Sequence, residues 1–399
     1  MKVFIAGMDG YLGWALAVYL GSRGHDIYGV DAFLRRKWVN DEGESHSISP
    51  IAAMPERLQA FQEQIGRPAW FREGNLCDFE FIRSALAEAS PDAIIHFGEQ
   101  PSAPFSMIDR EHCILTHENN MFGTLNVLYA MAECCPSAHL IKLGTMGEYG
   151  TPNVDIPEGF FTIEYKGRTD TLPFPRQAGS WYHQTKVHDT NNIMFACKVW
   201  GLRSTDLMQG VVYGTRLSEM KDDQRLLTRL DIDGLFGTAV NRFCAEAVIG
   251  HPLTPYGAGG QTRSFINIRD SMRCIELVLE NPAANGEYRV FNQFTEVLSV
   301  VQLAEKVKAA GEKANLEVTV HPIRNPRVES ESHYYNPDNS KFRALGLDPV
   351  HMDDALPGML VDLSRWRDRI ESKKNCLIPK VEWRESAPGV PVGHAGSGA

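Results

Sequence analysis

The chain carries no excess of positive charge. Its 40 Lys and Arg are outnumbered by 50 Asp and Glu, for a formal charge of -10. That excludes a general binder of nucleic acid or another polyanion, so an anionic ligand must be held by a few placed Arg residues. Long apolar runs are also absent, and no segment is expected to span a membrane. The eight cysteines include no Cys-x-x-Cys pair. They are expected to be reduced, mostly structural thiols of a cytoplasmic protein with no metal site. Internal repeats are missing. No leader is expected, because Lys2-Val3-Phe4-Ile5-Ala6 begins a strand at once. What is present is ample for a core: 399 residues, 43% of them hydrophobic, enough for one large domain or two ordinary ones.

The first 31 residues carry the clearest motif. Val3-Phe4-Ile5-Ala6 is an apolar β run. Gly7-Met8-Asp9-Gly10-Tyr11-Leu12-Gly13 is a G-x-x-G-x-x-G turn, and apolar periodicity predicts a helix over 14–23. A second β run over 27–30 ends in Asp31. Strand, Gly-rich turn, helix, strand and acid in this order form the dinucleotide fingerprint. The glycines let the backbone approach a pyrophosphate, which the helix N-terminus faces. Asp31 is placed to accept hydrogen bonds from the adenosine ribose and to repel a 2′-phosphate, which favours NAD over NADP. Arg35 and Arg36 follow closely and leave a 2′-phosphate partner open.

Further strands are predicted over 70–76, 92–98 and 139–144, with helices over 55–64, 79–89 and 120–134 between them. The stretch 35–64 is otherwise polar and irregular and is expected to be an insertion. Alternation of strand and helix predicts an α/β fold, a Rossmann-type doubly wound parallel sheet. Ligands in such folds sit beyond the carboxyl ends of the strands, where Glu99, Gln100 and Thr145 stand. Asn75 and Leu76, closing the third strand, are expected to meet the adenine. Tyr182-x-x-x-Lys186 then places a phenol and an ammonium one helical turn apart on one face. The ammonium favours the phenolate, giving a general base that can work near neutral pH.

Together the Gly-rich turn, Asp31, Asn120-x-x-Gly123-Thr124, Thr145, Tyr149-Gly150 and Tyr182-x-x-x-Lys186 resemble the extended short-chain dehydrogenase/reductase family of sugar-nucleotide enzymes. The resemblance runs from residue 1 to about 350. It implies an NAD-binding domain over 1–215, with a returning segment at about 262–295. A smaller substrate-binding lobe is expected from 216–261 and 296–372, with helices over 237–249, 300–310 and 352–371. The stretch 373–399 is expected to be a disordered tail. The resemblance also implies cofactor contacts from Phe97, Asn120, Val212, Tyr182 and Lys186. Arg263, in the segment 259–270, and Arg327, in Asn325-Pro326-Arg327-Val328-Glu329, are implied to hold a nucleotide diphosphate. Further substrate contacts are expected from Gln100, Thr145, Gln209, Asn241, Arg242, Tyr256 and Gln261.

Longer strings are similar to one branch of that family. They are His96-Phe97-Gly98-Glu99-Gln100, the run 143–153, the run 167–173 and Phe291-Asn292-Gln293-Phe294-Thr295-Glu296. That branch builds a sulfonated sugar head group from UDP-glucose and sulfite. The similarity implies that Tyr182 takes the proton of the sugar 4-hydroxyl while hydride passes to NAD. Thr145 bonds the same hydroxyl, and Lys186 lowers the Tyr182 pKa and holds the nicotinamide ribose. The 4-keto group acidifies the proton on carbon 5, the 6-hydroxyl is expelled, sulfite adds at carbon 6 and hydride returns. Related 4,6-dehydratases follow the catalytic Thr with Asp-Glu; here Met146-Gly147 stand there, and Glu148 or His183 is left as acid and base. The branch commonly carries an Arg where this chain has Pro101. A related enzyme on UDP-glucose stays open: a 4-epimerase, or one that stops at the 5,6-ene or adds another nucleophile. So does an NAD-sensing regulatory protein without turnover. The expected partners are a UDP-sugar, sulfite and a second copy in a homodimer.

Overall fold

In the computed structural model, residues 1–38 and 47–383 are described. Twelve strands follow in chain order. They are β1 (Lys2–Ala6), β2 (Asp26–Asp31), β3 (Ala69–Glu73), β4 (Ala93–His96), β5 (His139–Thr145), β6 (Phe160–Tyr165), β7 (Arg168–Pro173), β8 (Arg203–Gln209), β9 (Val211–Tyr213), β10 (Thr262–Asn267), β11 (Tyr288–Gln293) and β12 (Glu296–Ser299). Seven of them form one sheet in the order β11-β8-β5-β4-β1-β2-β3. Every neighbouring pair in it is parallel. This is the doubly wound sheet that the sequence predicts.

Side-chain alternation along β1 shows why both faces are covered. Val3 and Ile5 enter a core shared with the helices Tyr11–Ser22 and Ile268–Glu280. Phe4 and Ala6 enter the opposite core, with the helices Phe79–Ala89 and Gly123–Cys134. A strand apolar on both faces is stable only between two helical layers, and each such side chain contributes roughly 1.5–3 kcal/mol on burial.

The lobe has its own core. Val240 and Phe243 on the helix Ala239–Ile249 pack with Leu303 and Val307 on Val300–Lys313 and with Leu356 and Leu360 on Met352–Ser364. Ser299 caps Val300–Lys313 through a full capping box with Gln302. A three-stranded sheet, β12-β10-β9, joins the lobe to the large sheet.

The structure corrects several expectations. β10 pairs with β9 and β12, so only the helix Ile268–Glu280 and β11 return to the large sheet. The helix expected over 352–371 is two, Met352–Ser364 and Arg367–Ser372. The expected disordered tail does not start at 373: Leu377 is buried, and the Trp383 amide donates to Pro326 O at 2.8 Å. Its remainder, 384–399, lies outside the described residues, as does 39–46 of the expected insertion. A hairpin, β6–β7, has no counterpart in the sequence reading. Lys166 and Gly167, both at positive φ (51° and 72°), turn it in two residues.

Candidate active site

A cleft of about 780 Å³ lies where the carboxyl ends of the parallel strands meet the lobe. Gly7, at φ 88°, starts its floor; a Cβ there would stand 2.7 Å from the Phe97 carbonyl carbon. A Cβ on Gly13 would stand 2.0 Å from Gly7 O, so the helix Tyr11–Ser22 can abut the turn only without one. No side chain caps that helix at Gly10, and its N-terminus opens on the cleft. Such an end is an anion site.

Asp31 accepts the amides of Asp9 at 2.9 Å and Phe33 at 2.7 Å. Burial, then the nearby Asp9 charge, pushes its carboxyl up to about 6. The Asp9 carboxylate is gripped by Arg36, at 2.7 and 2.6 Å, and by the fully buried Arg57 at 2.8 Å. Arg35 pairs with Asp231 at 2.9 Å and stacks on Phe236. Both arginines that left a 2′-phosphate open are therefore committed to carboxylates. Gly10, Tyr11, Leu12, Asn75, Leu76, Phe97 and Val212 line the cleft as expected. These residues fit NAD: a Gly-only turn, an open helix end and a carboxylate for the ribose. Asn120 does not line it. Its amide is buried against the Gln100 backbone and Thr185 Oγ1, and Asn119 faces the cleft instead.

Thr145, ending β5, lines the cleft and caps a short turn, accepting from the Gly147 amide at 3.1 Å. Glu148 completes that capping box from behind, with Oε1 3.4 Å from the Thr145 amide. It is fully buried beside Lys142 (3.3 Å), Thr190 (3.0 Å) and Arg176 (4.0 Å), and it does not reach the cleft. The expectation that Glu148 serves as acid or base is thereby corrected: it positions Thr145.

The helix Trp181–Trp200 supplies the rest. Ser180 is its N-cap. The Ser180 hydroxyl accepts the His183 amide at 3.2 Å and lies 2.9 Å from His183 Nδ1. A Cβ on Gly147 would lie 2.3 Å from His183 Nε2. The imidazole thus fills the space that a side chain at 147 would take. Burial, then Arg327 and Arg263, pushes His183 down to about 3, so the ring is neutral at working pH. The Tyr182 phenol is raised above its ordinary value, by burial first and then by Glu148 and Asp189. That is the reverse of the expected effect of Lys186, because burial outweighs an ammonium 6.0 Å from the ring centroid. The ammonium pairs with Glu99 and donates to Leu143 O at 2.5 Å. Burial pulls Lys186 down to about 8.

Three arginines gather at the lobe end of the cleft. Arg242 donates to Tyr256 Oη at 2.8 Å, Arg263 pairs with Glu329, and the Arg327 guanidinium lies over Trp383. The Gln261 amide lines the cleft, buried, with no hydrogen-bond partner among the described residues. A buried polar group in that state calls for a partner such as water or a bound ligand. Gln209 lines the cleft and donates to Ser271 and Gln293, while Asn241 accepts the Gly214 amide at 3.2 Å. Gln100 is buried against Ser102 and Thr116 and does not face the cleft, contrary to expectation. Sequence reasoning assigned no role to Arg57, Ser180 or Glu99. Glu99 alone carried a signal, its place at a strand end.

This fold and cleft define a Rossmann-type, dinucleotide-binding scaffold with a second lobe. Residues 3–292 match the NAD dependent epimerase/dehydratase family, and the chain belongs to it. Within it the chain is 49% identical to the chloroplastic UDP-sulfoquinovose synthase of Spinacia oleracea, over 96% of this chain and 79% of that one. It is 44% identical to the UDP-sulfoquinovose synthase of Sulfolobus acidocaldarius, over 96% of this chain and 98% of that one. A UDP-glucose 4-epimerase from Stenotrophomonas maltophila, solved with NAD and formylated UDP-arabinopyranose, superposes with a TM-score of 0.70. It covers 94% of this chain and 99% of its own at 16% identity, a likeness of fold alone.

Proposed function

We propose that this chain is an NAD-dependent UDP-sulfoquinovose synthase that converts UDP-glucose and sulfite through 4-keto and 4-keto-5,6-ene sugars. The observation that carries the reading is one wall of the cleft, where Thr145, Tyr182 and His183 stand together. NAD, when bound, supplies the hydride acceptor and returns the hydride at the end of the cycle. Thr145 and Tyr182 hold the sugar 4-hydroxyl, and Tyr182 takes its proton. His183, neutral and fixed by Ser180, exchanges the carbon-5 proton and assists departure of the 6-hydroxyl. Glu148 stays behind Thr145. Arg263 and Arg327 hold the diphosphate, since a guanidinium fork matches phosphate oxygens. Gln261 and Gln209 meet the sugar or uridine.

Pro101 lines the cleft at the position where the resembled branch is expected to carry an Arg. Sulfite is then drawn by the field of the cleft arginines, Arg242, Arg263 and Arg327 among them, and its apparent affinity is poor. We also infer a homodimer. Phe122, Tyr129, Phe195, Val199 and Trp200 are exposed on the neighbouring stretches Glu118–Phe122, Gly123–Cys134 and Trp181–Trp200. A contiguous apolar face of this kind suits a second copy of the same surface. Among the described residues no helix is long and apolar enough to cross a membrane, and all eight cysteines are free. Both suit the cytoplasm. Product analysis with UDP-glucose tests the function. A sulfonated UDP-sugar formed only with sulfite supports it; UDP-galactose with or without sulfite overturns it.

A further inference from the structure

Lys186 is surrounded by charge on every side. Glu99, at the end of β4, meets its ammonium directly. On its own helix stand Tyr182 and Asp189; Asp206 comes from β8, Lys142 from β5 and Glu148 from the short turn after it. Most of these have other partners. Lys142 lies 3.3 Å from Glu148 and 3.4 Å from Asp206, and Asp206 also accepts from Thr190 at 2.7 Å and Tyr288 at 2.8 Å. Asp189, buried, is pushed up to about 7 and is only partly ionised near neutrality.

Glu99 differs from all of them. Its side chain is 3% exposed, and it lines the cleft beside Phe97 and Gly98. A tight turn sets it there, the Glu99 amide donating to Phe97 O at 2.7 Å. His96 Nε2, 3.7 Å from Oε1, offers it no charge, because burial pushes that imidazole down to about 3. Among the described residues Lys186 is the cation that meets Glu99. A buried ion pair of this kind adds little stability over an apolar pair of the same volume. Its value lies in what it does to the lysine.

We propose that Glu99 is a positioning residue of the dehydrogenase centre, holding the Lys186 ammonium against Leu143 O and keeping it charged inside the protein. The proposal rests on the reading of Tyr182 and Lys186 as the dehydrogenase pair. Asp189 and Asp206 still oppose burial at Lys186, but without Glu99 the charge in direct contact with the ammonium is lost, and the amine discharges at lower pH. With it, the cation persists through neutrality and is available to a cofactor ribose and to the Tyr182 phenolate.

The test is the titration of Lys186 itself, read by NMR of the full chain labelled at lysine Cε, with the signal assigned by Lys186→Arg. Glu99→Gln keeps shape and removes charge. Its Lys186 midpoint is expected one pH unit or more below that of the native chain, a tenfold change. Glu99→Asp draws the carboxylate back by one methylene, and its midpoint should fall between the two, which keeps the test available if Glu99→Gln does not fold. An unchanged midpoint in either folded variant overturns the proposal. The readout needs no substrate, so it stays separate from the proposed function. If the native chain fails to reduce NAD with UDP-glucose while Lys186 still shifts, the function is wrong and only the hold of Glu99 on the Lys186 charge stands.

Discussion

Asp31 holds a carboxyl raised to about 6 within a nest of two backbone amides, and it lines the cleft where the proposed NAD ribose would lie. A 2′-phosphate there meets a like charge. Two unit charges 4 Å apart repel by about 1 kcal/mol in water and about 4 kcal/mol at an effective dielectric of 20. NAD should therefore bind at least about tenfold better than NADP near pH 8. As pH falls through about 6 the carboxyl takes up a proton and the repulsion fades, so the preference narrows. Asp31→Asn should show little preference at either pH. Titrations with both cofactors at pH 8 and pH 5 check this, and a preference that widens with acid contradicts it. Tyr182→Phe removes only a hydroxyl and should lower cofactor reduction by about 10²–10⁴-fold while both ligands still bind. Near-normal reduction would make the motif structural here. Short local motifs marked Asp31, Thr145 and Tyr182, which line the cleft, and Lys186, which does not line it. Glu148 and Gln100 follow strand ends and Asn120 sits in the stretch Glu118–Phe122, places where a side chain can face cleft or interior. Packing against Lys142, Thr116 and Thr185, distant in sequence, turned all three inward.

At the scale of the element, the helix Trp181–Trp200 couples folding to chemistry through its first residue. The Ser180 hydroxyl caps the helix and fixes the imidazole at once. Ser180→Ala should cost about 0.5–2 kcal/mol of stability as an N-cap loss. Carbon-5 exchange should fall further than cofactor reduction does, because only His183 loses its partner. Thermal unfolding alongside the two rates separates the effects; equal losses in both rates would leave Ser180 a cap and nothing more. The elements of the large sheet were readable because buried parallel strands are continuous apolar runs. The hairpin β6–β7 was not, since β7 is exposed throughout and carries no apolar alternation. The π-turn Glu118–Phe122 overlaps the start of the helix expected over 120–134; nothing in its sequence distinguishes it.

At the scale of the whole molecule, the lobe closes a cleft that the parallel sheet alone would leave open. The return expected at about 262–295 grouped β10 with the NAD-binding domain, but its pairing is decided by β9, 54 residues earlier at each matched pair, as in Ile266 to Val212. The apolar face around Phe195, which is 60% exposed, should be covered by a second copy. Phe195→Glu should yield a monomer in sedimentation, with its fold intact; a native chain that is already monomeric contradicts the inferred dimer. The central claim is that oxidation at carbon 4 leads to removal of the proton on carbon 5. It is tested most directly by incubating the enzyme with UDP-glucose in deuterated water, without sulfite, and weighing the recovered sugar. His183 is neutral above about 3, so its ionisation should impose no acidic limb on the exchange between pH 5 and 8. Deuterium at carbon 5, lost in His183→Gln and kept with sulfite omitted, is the predicted result. No deuterium, with conversion to UDP-galactose, would contradict the account.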